Sequence, residues 1–389
     1  MKRFLTAALA ALLLLALPAC GAQDVTEQLP MAEEAEEPAP PPEPTEEELA
    51  AQEIEDLLSS LTTEEKVGQL FFVRCPAESA TEDVGTYHLG GYILFGRDFA
   101  DKTADDVIQS IRSYQTAAAA DTGIPLLMGV DEEGGTVVRV SSNPHLRSEK
   151  YPSPQKLLAQ GGMERLVENT AEKDTLLHAL GINVNLAPVA DVSTNPRDFI
   201  YDRTFGQDAA GNSACVTAVV EQMAADNMGS VLKHFPGYGS NADTHTGIAV
   251  DQRNLETFRE SDFLPFSAGI AAGNGTTAVL VSHNIMTAVD DSLPASLSPA
   301  VHDLLRDELG FGGVAMTDDL AMDAVAAYST DGAVAVMALQ AGNDLIITTD
   351  YRTQIPKVME ALETGALSMD TIDIACRRVL TWKQNLGLL

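Results

Sequence analysis

The sequence predicts an α/β chain: a single (β/α)8 TIM barrel preceded by a signal peptide and a disordered acidic linker. Three observations carry that prediction. Eight short apolar, β-rich runs recur along the body, helix-length segments lie between most of them, and a polar or charged residue follows nearly every run. Strands alternating with helices imply parallel pairing through right-handed crossovers. Eight such units close a barrel, whose reactive side chains gather at the C-terminal ends of its strands.

The chain opens on Met1-Lys2-Arg3, followed by an apolar run from Phe4 to Leu17. Two positive charges before a run too short to span a bilayer comfortably describe a secretory signal. The run ends in Leu17-Pro18-Ala19-Cys20-Gly21, which is similar to the lipobox of bacterial lipoproteins; because Pro18 is uncommon there, an ordinary secretory signal is the alternative. The expectation is a signal peptide over residues 1–19, lipidation at Cys20, and a protein exported and lipid-anchored to the outer face of the bacterial cell membrane.

Residues 20–52 change character. The stretches Ala32-Glu33-Glu34-Ala35-Glu36-Glu37-Pro38 and Pro44-Thr45-Glu46-Glu47-Glu48 are rich in Pro and Glu and hold no Lys or Arg. Such a segment cannot bury enough apolar surface to offset its ordering entropy, and its charges repel, so it reads as an extended linker. Residues 53–389 then form the catalytic body, roughly 330 residues, a normal length for one barrel with insertions.

A formal net charge of −33 argues against nucleic acid, since phosphate contacts need basic patches. It suits an extracellular enzyme kept soluble by self-repulsion. Cys75, Cys215 and Cys376 are too few and too scattered for a disulfide framework and read as small core residues.

The eight runs fall at 70–73, 91–95, 126–130, 182–186, 230–233, 278–281, 313–316 and 344–347. Helical periodicity marks 209–227, 255–272 and 299–309; the last opens on Ser298-Pro299, an N-cap residue followed by proline at the first helical position. The polar residues delivered to the rim are Arg74, Asp131, Asp191, Lys233-His234, Ser282-His283, Asp318-Asp319 and Thr348. Burying so many without partners would be costly, so a functional rim explains them better than packing does.

The densest constellation is Lys233-His234-Phe235-Pro236-Gly237-Tyr238-Gly239, continuing to Asp243-Thr244-His245. Pro236, Gly237 and Gly239 make a helix-free loop whose backbone can approach a ligand closely. Asp243 and His245, two apart, allow the carboxylate to hydrogen-bond one imidazole nitrogen, orienting the ring and stabilising its charged form, as a general acid/base requires.

This run resembles the signature of glycoside hydrolase family 3, in particular its bacterial β-N-acetylhexosaminidases of the NagZ type. Further stretches agree in order: Val130-Asp131-Glu132-Glu133-Gly134-Gly135 with Arg139, Leu186-Ala187-Pro188-Val189-Ala190-Asp191, Asp202-Arg203-Thr204-Phe205-Gly206, and Met316-Thr317-Asp318-Asp319-Leu320. The resemblance spans about residue 57 to the C-terminus. It implies Asp318 as nucleophile and His245 as acid/base tuned by Asp243. It also implies Asp131, Arg139, Arg203, Lys233 and His234 as sugar and acetamido contacts, and for Asp319 a structural role as readily as a direct one. The implied reaction is retaining removal of terminal β-linked N-acetylglucosamine, from muropeptides or other β-N-acetylhexosaminides, without cofactor or metal. Histidine as acid/base departs from the usual pair of carboxylates. Tyr238, Glu132 and Thr136 depart from the family's common His, Gln and Arg, which bears on rim contacts and substrate. His88, His145, His178 and His302 fall outside the motifs and read as surface or satisfied core residues.

Rival readings make distinct expectations. A metal-dependent barrel hydrolase normally opens with His-x-His after its first strand, where this sequence has Phe72-Val73-Arg74-Cys75. A two-domain β-glucosidase takes its acid from a second domain, which the Asp243/His245 pair makes unnecessary. A phosphorylase would show phosphate-dependent rates. An inactive cell-wall-binding lipoprotein would have no use for Asp243, His245 and Asp318. Oligomeric state is not legible.

Overall fold

The computed structural model describes residues 44–241, 248–322, 325, 328 and 333–389. Cys20, Asp243 and His245, with the expected signal peptide and most of the expected linker, lie outside these residues.

Seven of the eight apolar runs form strands, and each pairs parallel with its neighbour. They are β1 (Phe72–Arg74), β2 (Gly91–Leu94), β3 (Leu127–Val130), β4 (Val184–Asn185), β5 (Gly229–Phe235), β7 (Thr277–Val281) and β9 (Ala315–Thr317), joined in that order. Two short segments that follow β5 and β7 in the chain, β6 (Val250–Asp251) and β8 (Ile285–Met286), pair with each other as a separate parallel ladder. The eighth run forms no regular strand, yet its backbone bonds in both directions. Thr317 N–H donates to the Leu345 carbonyl and Ile346 N–H to that of Leu70, while Phe72 and Arg74 N–H donate to Ile346 and Thr348. The sheet therefore curls back onto its first strand, as in a TIM-like barrel.

Burial on both faces explains why these runs are continuously apolar rather than alternating: β2, β3, β5 and β7 are buried at every position. The interior is filled by side chains, and two strands make room for one of them. A Cβ at Gly129 would stand 2.3 Å from Phe72 Cζ and one at Gly91 would stand 2.8 Å from its Cδ2, so only glycine admits that ring.

Helices cover the outer face, with Ala80–Tyr87 packed on Ala104–Asp121, Pro154–Leu180 on Ala209–Ala225, and the latter on Phe263–Ala272. Two segments expected as continuous helices contain π-helical turns, Phe258–Asp262 and Leu304–Glu308. Ser298 caps as expected, accepting the Val301 N–H. Buried Cys75, Cys215 and Cys376 are free thiols.

One boundary differs from expectation. Residues 46–52, assigned to the linker, belong to the helix Glu46–Ser60. Thr45 and Glu48 form a reciprocal capping box, three glutamates occupy the positive first turn, and Ile54 and Leu58 are buried. Glu55 pairs with Arg377, and Gln384 donates to the Ala50 carbonyl, docking this helix on the C-terminal helix Met369–Asn385.

Candidate active site

At the C-terminal ends of the strands lies a cleft of about 310 Å³. Asp131, Arg139, Arg203, Lys233, His234 and Asp318 all line it, joined by Arg74 and Phe95 over an apolar floor that includes Ile93, Leu186, Leu280 and Ile347. Six of the eight site residues read from the sequence thus converge; Asp243 and His245 lie outside the described residues.

Consecutive side chains of a strand point to opposite faces, yet Lys233 and His234 both reach the cleft. The β5–β7 register explains this. Leu232 pairs with Val279 and Phe235 with Val281, so two residues of β5 stand against Leu280 alone. That irregularity re-aims one side chain of the pair toward its neighbour's side.

A continuous polar network fixes these groups. Lys233 Nζ lies 2.7 Å from Asp131 Oδ1 and 2.7 Å from Glu133 Oε1. Arg203 grips Glu133 with two bonds, Nε to Oε2 at 3.0 Å and Nη2 to Oε1 at 2.8 Å. The same Nη2 is 3.2 Å from His234 Nε2, and His234 Nδ1 is 2.7 Å from Asp191 Oδ2. A guanidinium only donates, so His234 Nε2 accepts and its proton sits on Nδ1, facing Asp191. Asp191 in turn accepts the backbone N–H of His234 and of Tyr238.

Burial opposes charge on Lys233, but Asp131 and Glu133 outweigh it and hold the ammonium above its ordinary pKa. Burial likewise opposes ionisation of Glu133, and Lys233 and Arg203 overcome it, holding that carboxyl far below the usual carboxylate range. Lys233 is therefore a fixed cation, suited to bind hydroxyl and carbonyl oxygens rather than to move protons.

Asp318 ends β9. Its N–H donates to the Val281 carbonyl, and its Oδ1 accepts the N–H of Asp319 at 2.8 Å. Asp319 also lines the cleft, and its carboxylate accepts from the Ala321 N–H and from the N–H and hydroxyl of Thr349. Ser282 and His283 are fully buried beneath the rim, where His283 Nε2 meets the Asp319 carbonyl at 3.1 Å and Nδ1 meets the Ser296 hydroxyl at 2.8 Å. His283 thus buttresses the Asp318–Asp319 turn, while the Ser282 hydroxyl donates to the Phe235 carbonyl; neither lines the cleft.

Three other expectations resolve. Glu132, flagged as a rim departure, is fully buried and straps down the following loop, accepting the N–H groups of Arg139, Val140 and Ser141. Tyr238 is buried edge-on to His234, with ring centroids 5.2 Å apart. Among the off-motif histidines, His145 and His178 are exposed and His88 pairs with Asp121. His302 is a core residue; among the described residues neither ring nitrogen makes a hydrogen bond of good geometry, and the Ser296 backbone lies close by.

The loop leading to Asp243 and His245 has an anchored stem. Asn241 donates to Asp251 at 2.7 Å, and Arg253 bridges Asp251 and Asp262, both buried. Sequence reading passed over this clamp and over Glu133 as a hub, because neither shows until distant segments meet. The Glu-Glu pair after β3 was the available signal.

Comparison with known proteins follows the same geometry. Residues 62–382 match the model of the glycosyl hydrolase family 3 N-terminal domain. "Beta-hexosaminidase LpqI" of Mycobacterium tuberculosis is 31% identical over 335 residues, 83% of each chain. A solved family 3 beta-N-acetylglucosaminidase from Paenibacillus sp. str. FPU-7 superposes with a TM-score of 0.78 at 32% identity. That match covers 85% of this chain but only 63% of that longer one. A Beta-N-acetylhexosaminidase from Beutenbergia cavernae superposes with a TM-score of 0.74 at 31% identity, over 84% of this chain and 99% of that one.

Proposed function

We propose, from the premise that the chain belongs to glycosyl hydrolase family 3, that it is a retaining exo-β-N-acetylhexosaminidase releasing terminal β-linked N-acetylglucosamine. One observation carries the reading: Asp318 shares a single cleft with Asp131, Arg139, Arg203, Lys233 and His234. At about 310 Å³ the cleft sits at the small end of ligand sites, in keeping with one terminal sugar bound at a time.

In this mechanism the Asp318 carboxylate attacks the anomeric carbon while the glycosidic bond breaks, giving a covalent glycosyl-enzyme. His245, oriented by Asp243, donates its proton to the leaving oxygen. It then takes a proton from the water that displaces Asp318, so configuration is retained and the enzyme is regenerated. Lys233, Arg203, His234, Asp131 and Arg139 hold the sugar's hydroxyls and acetamido group. Their mutual ion pairs pre-set the donors, so little reorganisation is needed as charge develops.

The natural substrate in this reading is a peptidoglycan fragment carrying N-acetylglucosamine on N-acetylmuramic acid. The enzyme would be exported, cleaved before Cys20, and held by a lipid on that cysteine at the outer face of the cell membrane, with an acidic spacer before the catalytic body. Purified full-length protein is expected to hydrolyse a chromogenic β-N-acetylglucosaminide with net retention, and to act on muropeptides in preference to chitobiose. Absence of turnover across pH 5–8, with and without phosphate, would overturn the reading; strict phosphate dependence would replace hydrolysis by phosphorolysis.

A further inference from the structure

Positive charge is unevenly spread along this chain. Against 57 Asp and Glu it carries 24 Lys and Arg, yet residues 134–163 hold Arg139, Arg147, Lys150 and Lys156 with Glu149 as their one acid. Three of those cations, with Arg165, line a second cavity of about 500 Å³. Gly135 lines this cavity whereas Val137 and Arg139 line the cleft, so the loop after β3 lies between the two.

Buried Tyr151 fixes the wall of this cavity. Its carbonyl accepts the Gly135 N–H at 2.9 Å, its N–H donates to the Ser141 hydroxyl, and its own hydroxyl donates to the Glu172 carbonyl. The Arg147 guanidinium lies over that ring, 4.0 Å from the centroid, a contact that positions the charge without neutralising it. Arg147 meets Glu172 only at 3.8 Å, while Arg165 is spent on Glu168 and Glu172 at 3.2 and 2.9 Å. Lys150 and Lys156 are exposed, and among the described residues their ammoniums make no ion pair or hydrogen bond. Glu149 is the one carboxylate of the lining, so Arg147, Lys150 and Lys156 outnumber it three to one.

Such a surplus calls for a ligand with more than one negative charge. A carboxylate brings one; a phosphate monoester brings about −1.5 to −2 at pH 7, with three acceptor oxygens for donors arriving from separate directions. Lysine suits it as a compact point charge on a flexible stem. The volume also falls within the roughly 300–1,000 Å³ of small-ligand sites, leaving room for a sugar-sized group beyond the phosphate. In a chain of net charge −33, an anion settles only where the local field is reversed.

We propose that this cavity is a phosphate-binding site separate from the cleft. Arg147, Lys150 and Lys156 take a phosphate group there, free or esterified to a sugar-sized molecule.

Calorimetry on the purified full-length protein tests this at ~50 mM salt, where charge screening is weak. The probes are inorganic phosphate, glucose 6-phosphate, glucuronate and glucose. Phosphate and its sugar ester should bind at least about tenfold more tightly than glucuronate, ~1.4 kcal/mol, and glucose should give no heat. A tighter ester assigns the site to phosphorylated molecules; parity assigns it to phosphate itself. Lys150→Gln/Lys156→Gln should weaken phosphate binding at least about tenfold, with turnover of a chromogenic β-N-acetylglucosaminide unchanged. Both lysines are exposed, so its thermal midpoint should stay within about two degrees of wild type. Should it fall further, the single variants decide, each losing about threefold in affinity. No phosphate binding by wild type, glucuronate bound as well as phosphate, or undiminished binding in the lysine variants overturns the proposal. The last result would put the phosphate in the cleft instead. Because binding is read directly, the outcome stands whether or not the glycosidase reading does.

Discussion

His234 Nδ1 stands 2.7 Å from Asp191 Oδ2 in a wholly buried contact, and the same carboxylate also holds the His234 and Tyr238 backbone N–H groups. One side chain from the loop after β4 thus sets both the tautomer of a cleft histidine and the path of the loop beyond it. Asp191→Asn keeps the shape but replaces an acceptor by a donor facing a donor. A buried mismatch of this kind costs about 1–3 kcal/mol. The expected result is a thermal midpoint lowered by several degrees, together with at least tenfold lower kcat/KM on a chromogenic β-N-acetylglucosaminide.

Glu133→Gln tests the hub. The two cations it neutralises are buried beside it, and breaking such a pair by removing one partner costs about 3–5 kcal/mol. The carboxyl is held below its ordinary pKa by Lys233 and Arg203 against the opposing effect of burial, so its contribution is full above about pH 4.5 and declines as pH falls below that. Thermal midpoints measured from pH 3 to 7 should show a shallower acid slope in the variant than in wild type.

Asp318→Asn separates chemistry from structure. The backbone bond from its N–H to Val281 survives the change, and the amide oxygen can still accept the Asp319 N–H. Turnover should fall by at least about 10³-fold, as expected when a nucleophile is removed, with the thermal midpoint unchanged within about two degrees. Retained activity would place the nucleophile elsewhere.

His302 gives a stability signature away from the cleft. Burial, reinforced by the nearby Arg306 charge, pushes its pKa down to about 3. A base whose folded pKa is depressed stabilises the fold above its unfolded value of about 6.5 and loses that contribution as pH falls toward 3. His302→Leu should remove one proton's share of the slope in that window, about 1.4 kcal/mol per pH unit, measured by denaturant unfolding.

What the sequence disclosed follows from how local each signal is. Strands buried on both faces announce themselves as apolar runs, so all eight positions were legible, including 344–347, whose backbone closes the sheet without forming a regular strand. Asp318 and Lys233 were legible because a strand end places them. Glu132 was misjudged because its neighbours in sequence say nothing of the three N–H groups that fold back over it. The helix at Glu46 was hidden by composition: the Thr45–Glu48 box sits inside a Pro- and Glu-rich stretch and was overshadowed by it. Arg74 was visible as a rim residue, but its stacking on Phe95 emerges only when β1 and the end of β2 are brought side by side.

The docking of Glu46–Ser60 on the C-terminal helix also fixes where this protein can be clipped. A protease cutting ahead of Thr45 would shed the acidic segment and leave the capping box, the Glu55–Arg377 pair and the buried Ile54 and Leu58 in place. A cut after Leu61 would strip those two side chains from their seat, each worth about 1.5–3 kcal/mol of burial, and bare a greasy strip on Met369–Asn385. The boundary between a shed, working enzyme and a sticky fragment is therefore a matter of some sixteen residues, from Thr45 to Ser60.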